Sequence, residues 1–158
     1  MADKTKTIVL GMGNPILSDD SVGIRVVRDL QGKLDPAEYT IVESSLGGLR
    51  LMETIAGYDR AIIVDAIQTK DGKPGTIYKL TEVDFNRTRY ATNPHDVNFA
   101  TAIEFGNQAG LKMPKDYSIF AIEVEEILTF CEECTPAVET AIPVAVDMVL
   151  EELNVNPS

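Results

Sequence analysis

The sequence is poor in positive charge, cysteine and histidine, and it contains no long apolar run. Lys and Arg number 14 against 25 Asp and Glu, a formal net charge of −11. That deficit argues against nucleic acid or an anionic membrane as the main partner, and a basic peptide or a metal ion is the better match. For most of these acids the ordinary role is solubility. No apolar stretch approaches the roughly 18 residues of a membrane span. Cys131 and Cys134, the two cysteines, make no disulfide framework and suit a reducing compartment. The leading MADKTKT is polar, without the apolar centre of a signal peptide, so the expected location is cytoplasmic. A G-x-S-x-G elbow is missing and neither cysteine stands in a nucleophile motif, which leaves covalent catalysis without a candidate. Internal repeats, low-complexity tracts and linkers are also absent, and 158 residues read as a single domain, 1–158.

What is present is organised around Thr7 to Gly23, TIVLGMGNPILSDDSVG. Ile8, Val9 and Leu10 form the continuous apolar run of a strand buried on both faces, and Gly11 and Gly13 break it. GMGNP suggests a dinucleotide fingerprint, but Ile16 stands where G-x-G-x-x-G needs its third glycine. Asp19 and Asp20 would also put negative charge where a pyrophosphate should sit. An acidic loop invites a cation instead. Ser18 or Asp19 is expected to cap the helix whose face is Val22, Val26, Val27, Leu30 and Leu34, with Asp20 in its first turn.

Tyr39 to Glu43 reads as a second strand, and Leu49, Leu51, Met52 and Ile55 give a helix that Gly57 stops. Ala61 to Val64 is the most apolar run, a central strand with Asp65 at its carboxyl end. Strand, helix, strand, helix, strand is a doubly wound beginning. The polar segment Gln68 to Gly75 is too short for a crossover helix, which makes Thr76 to Leu80 an antiparallel strand. Asp96 can cap a helix outlined by Val97, Ala100, Ile103 and Ala109. Tyr117 to Ile122 is a further strand, followed by an acidic stretch, Glu123 to Glu133, expected to be a solvated face, with a contact for a basic substrate residue as the alternative. The last helix follows Thr135-Pro136 and buries Val138, Ile142, Ala145, Val149 and Leu153, with Pro143 expected to kink or split it.

Asp20, Asp65 and His95, the only histidine, each follow a strand or loop at one edge of such a sheet. Two carboxylates and an imidazole suit zinc, nickel or another first-row transition ion, with room left for water or substrate. The bland reading makes Asp65 a loop cap and His95 a half-exposed loop histidine. Glu43 stands at a strand end, as a partner orienting a ligand, a contact for a basic substrate side chain, or a solvated terminus. Cys131-x-x-Cys134 is half a zinc site, and two intervening glutamates disfavour redox thiolates, so it reads as structural or incidental. A magnesium-dependent receiver is disfavoured because the acid pair lies well past the end of the first strand.

Taken together, GMGNPILSDDSVG, IIVDAI at Ile62 to Ile67, NPHD around His95 and TPAVETAIP at Thr135 to Pro143 resemble the hydrogenase maturation endopeptidases, in order and over essentially the whole chain. The resemblance implies a three-layer α/β/α domain with a mostly parallel five-stranded sheet containing one antiparallel strand. It implies removal of a C-terminal extension from the large-subunit precursor of a nickel–iron hydrogenase after nickel insertion. The family's metal-binding positions fall on Asp20, Asp65 and His95. Hydrolysis would be metal-assisted, with the metal as Lewis acid and Asp20 or Asp65 as general base, or aspartic-type, with nickel only docking the substrate and a free carboxylate activating water. Nickel would come with the substrate, and zinc or another divalent transition metal would be a substitute. Glu43 matches a substrate-contacting acid that is often Asp in relatives, and Ser44 and Ser45 stand where glycines often follow. A nickel-binding assembly sensor or chaperone that does not cut is the alternative.

Overall fold

The computed structural model describes residues 5–45, 49–80 and 99–155. Among them the chain runs β1 (Thr7–Met12), a 3-10 turn (Ser18–Ser21), α1 (Val22–Leu30), β2 (Tyr39–Ser44), α2 (Leu49–Ile55), β3 (Arg60–Ile67), β4 (Ile77–Leu80), α3 (Phe99–Gln108), β5 (Asp116–Glu123) and α4 (Pro136–Glu152). The sheet order is β2-β1-β3-β5-β4, parallel except for β4, which pairs antiparallel with β5. This is the expected three-layer α/β/α arrangement, including the expected reversal at the fourth strand.

Side-chain alternation sorts the strands onto two cores. On one face Val9, Ile62, Val64, Phe120 and Ile122 pack beneath α1 and α4 with Val26, Val27, Val138 and Val149. On the other, Ile8, Leu10, Ile63, Ile119 and Ala121 pack with Leu51 and Ile55 of α2 and Ile103 of α3. The central strands β1, β3 and β5 are covered on both sides, which is why they read as continuous apolar runs.

The departures have local causes. α1 begins at Val22, not at the acid pair, because Ser18 to Ser21 coil as a tighter 3-10 turn. It ends at Leu30, yet Leu34 stays buried because its N–H bonds Leu30 O and folds the chain back. Ala109 lies past the end of α3 and is exposed, where a buried position was expected. Pro143 does not split the last helix, which is continuous from Pro136 to Glu152. Its ring is on the solvent face, while the buried Ala141, Ile142, Ala145 and Val146 hold both halves on the sheet. The expected Asp96 cap, and Val97 with it, lie outside the described residues.

Candidate functional site

β1 is followed by a crossover to β2 on one side and is flanked by β3 on the other, so strand order reverses between β1 and β3. Open α/β sheets keep their binding crevices at such a point, beyond the carboxyl ends of the strands. The β1–β3 pairing ends at Gly11 opposite Val64, and Asp65 is the next residue of β3, level with Met12 at the end of β1. It is buried, on the face of Ile63 and Ile67, and its Oδ1 accepts the N–H of Ala66 at 2.8 Å.

Asp20 reaches the same edge from the other strand. Gly13, at φ +143°, turns the chain out of β1, and a Cβ there would collide with the carbonyl oxygen of Asp20. The loop closes on the Asp20 carboxylate, whose Oδ2 accepts the Asn14 N–H at 3.0 Å, while Asn14 Oδ1 accepts the Ile16 N–H at 3.1 Å. Gly23, at the start of α1, then lies directly on the carbonyl oxygens of Met12 and Val64. The 3-10 turn carrying Asp20 is thereby held over the ends of β1 and β3. Both acids are nine-tenths or more buried. Carboxylates at such an edge can ligate a cation or activate water.

His95 lies outside the described residues, and among those described no three His, Cys, Asp or Glu side chains form a metal-holding group. Glu43 sits at the carboxyl end of β2, opposite Gly11, but on the α1 face of the sheet. There Arg28 of α1 grips its carboxylate with two hydrogen bonds, Nε to Oε2 at 2.9 Å and Nη2 to Oε1 at 3.0 Å. The same bonds raise the Arg28 pKa.

Sequence reasoning missed the surroundings of two side chains, Asp19 and Glu123, and read the cysteine pair as structural or incidental. Asp19 caps nothing in its own helix; it is fully buried and reaches the loop before α4. Its carboxylate accepts the N–H groups of Glu125 at 2.9 Å, Glu126 at 3.0 Å and Thr135 at 2.6 Å, and the Thr135 hydroxyl at 2.8 Å. Glu123 heads the supposedly solvated stretch but is 2% exposed. It accepts the Thr69 N–H and hydroxyl at 2.8 and 2.6 Å and the Tyr78 hydroxyl at 3.1 Å. Cys134 is buried with its thiol 3.5 Å from Ser21 Oγ, and burial pushes its pKa up, whereas Cys131 is exposed; both are free thiols. A hint was available for Asp19, since adjacent acids in a helix turn cannot share one environment.

A cleft of about 1320 Å³ lined by Lys6, Tyr39, Asp59, Arg60 and Lys112 opens at the opposite, amino edge of the sheet and contains none of the candidate acids.

The comparisons agree with this fold. The family model described as HycI, hydrogenase maturation protease, matches residues 24–152. The hydrogenase 2 maturation protease of Escherichia coli is 29% identical over 150 residues, covering 94% of this chain and 90% of the relative. A putative hydrogenase maturation protease of Methanocaldococcus jannaschii is 27% identical over 113 residues, 70% of this chain and 73% of the relative. The solved structure of the hydrogenase maturating endopeptidase HybD from E. coli superposes with a TM-score of 0.84 at 29% identity, covering 95% of this chain and 93% of that one.

Proposed function

Because this chain belongs to the hydrogenase maturation protease family, we propose that it is an endopeptidase that removes a C-terminal extension from the nickel-loaded large-subunit precursor of a nickel–iron hydrogenase. The observation that supports the reading is the burial of two carboxylates, Asp20 and Asp65, in segments that lie at the carboxyl ends of the neighbouring strands β1 and β3. Nickel in the precursor belongs to the substrate, and Asp20, Asp65 and His95 are its proposed ligands on this side. A precursor without nickel then lacks the group that these ligands recognise.

Hydrolysis requires a water positioned against the scissile carbonyl and a base to take its proton. A carboxylate, Asp20 or Asp65, fills that role and returns the proton to the leaving amine. Burial limits bulk water around the acids and strengthens their interaction with a cation. Glu43 is proposed as a substrate contact, reached when a basic side chain of the precursor competes with Arg28 for its carboxylate.

The test is processing by Asp65→Asn and His95→Ala, followed by the mass of the large subunit. Both variants are expected to leave the extension in place while folding normally. Full processing by both would overturn the assignment. Binding of the precursor by the intact protein with no cleavage under any condition would favour an assembly sensor.

A further inference from the structure

The loop between β5 and α4 displays apolar side chains to solvent although it is firmly tied down. Leu128 is 82% exposed and Phe130 78%, well above the other exposed large hydrophobics, and Ile16 beside them is 47% exposed. Single exposed apolar residues are ordinary; a cluster on a fixed support is not. The support is extensive. Asp19 holds the Glu125 and Glu126 amides, and its own N–H bonds Glu126 O at 2.9 Å. Ser18 N–H bonds Cys131 O at 2.8 Å and Cys131 N–H bonds Ile16 O at 2.9 Å, joining the tip to the Asp20 loop as a short parallel bridge. Leu128 N–H bonds the Glu126 carboxylate at 2.8 Å.

We propose that Ile16, Leu128 and Phe130 form a docking knob for the folded body of the hydrogenase precursor, seating in an apolar recess rimmed by Lys or Arg side chains. The inference rests on the protease reading for the identity of that partner. Protruding side chains need a recess for their complement, and a buried aromatic anchor ringed by polar contacts is the usual pattern of an interface hot spot. The rim fixes the partner's sign. Glu125, Glu132 and Glu133 flank the tip and are exposed, and no Lys or Arg follows Lys115 in the chain. Arg25 and Arg28, the cations of the neighbouring α1, are engaged by Glu139 and Glu43. Position selects the substrate over an unrelated partner. Ile16 belongs to the loop closed by the Asp20 carboxylate, so a body seated on the knob lies beside the crevice that would receive its tail.

The experiment measures binding of nickel-free large-subunit precursor, a probe that leaves cleavage out of the reading, to the intact protein and to L128S/F130S. The double variant should bind at least about tenfold more weakly, with unchanged Tm because neither side chain is packed. E132K/E133K should slow association and flatten its salt dependence. Equal affinity for the intact protein and L128S/F130S overturns the proposal, as does no binding by the intact protein. Sedimentation showing an intact-protein dimer that L128S/F130S converts to monomer would assign the knob to self-association and also overturn it. The protease reading is judged separately, on nickel-loaded precursor: cleavage with equal binding sinks only the knob, and knob-dependent binding without cleavage sinks only the protease.

Discussion

Asp19 and Asp20 are neighbours with opposite tasks. Asp19 is enclosed by four donors from a distant loop, an arrangement that fixes structure; Asp20 closes its own loop, and its proposed task is at the carboxyl edge of the sheet. Asp19→Ala leaves three backbone N–H groups without their acceptor, and at about 1 kcal/mol or more each this should cost roughly 3 kcal/mol or more. Thermal melting should register a fall in Tm of roughly 6–12 °C. Asp20→Asn should fold, since an amide oxygen can still accept the Asn14 N–H, but lose processing by about 10²–10⁴-fold. Equal effects of the two variants on stability and processing would contradict this division. Local reasoning placed Asp20 in the turn after β1 but gave Asp19 a capping role, because the partners of Asp19 lie more than a hundred residues away, beyond any periodicity. Glu123 was misjudged similarly: an acidic run looks solvated until Thr69 and Tyr78 are seen to close over its first member.

At the scale of elements, the position of the site depends on how closely α1 approaches the sheet. Gly23 permits that approach, and a Cβ there would overlap the carbonyl oxygens of Met12 and Val64. Gly23→Ala should therefore destabilise by about 1–3 kcal/mol and reduce processing further than its stability loss explains, because lifting α1 displaces Asp20 from Asp65. Chemical denaturation together with a processing assay below the melting range separates the two effects; unaltered processing would contradict this role. α1 is also clamped to α4 by Arg25 and Glu139, at 2.8 and 2.9 Å. Hydrogen bonds from Arg25 hold the Glu139 carboxyl below its ordinary 4.5. A depressed carboxyl pKa stabilises the fold above the unfolded value, and that stabilisation is lost as pH falls through the folded one. With both side chains about a third exposed, the pair contributes at most about 1 kcal/mol. Glu139→Gln should then lower Tm at neutral pH by roughly 2–4 °C, with the difference closing as pH falls below 4.5. A difference that widened in acid would contradict the assignment.

At the scale of the whole molecule, the layer order was legible because buried parallel strands are continuous apolar runs and helices carry one apolar face. Val9, Ile63 and Ile119 announce their strands without tertiary context, and the short Gln68–Gly75 link forces β4 to reverse. Less legible were features made by contact between distant segments: the Asp19 anchor, the Arg28 grip on Glu43, and an unbroken α4 across Pro143. The strand order brings the segments that carry Asp20 and Asp65 to the same edge of the sheet from positions far apart in the chain. No helix among the described residues is long and apolar enough to cross a membrane. The central claim is that this protein cuts a substrate it recognises by the substrate's own metal. Its most direct test is the intact mass of a large-subunit precursor, nickel-loaded and nickel-free, after incubation with this protein. Loss of a C-terminal peptide from the nickel-loaded form alone is the predicted result. Equal cleavage of both forms, or of neither while the loaded form remains bound, would contradict it.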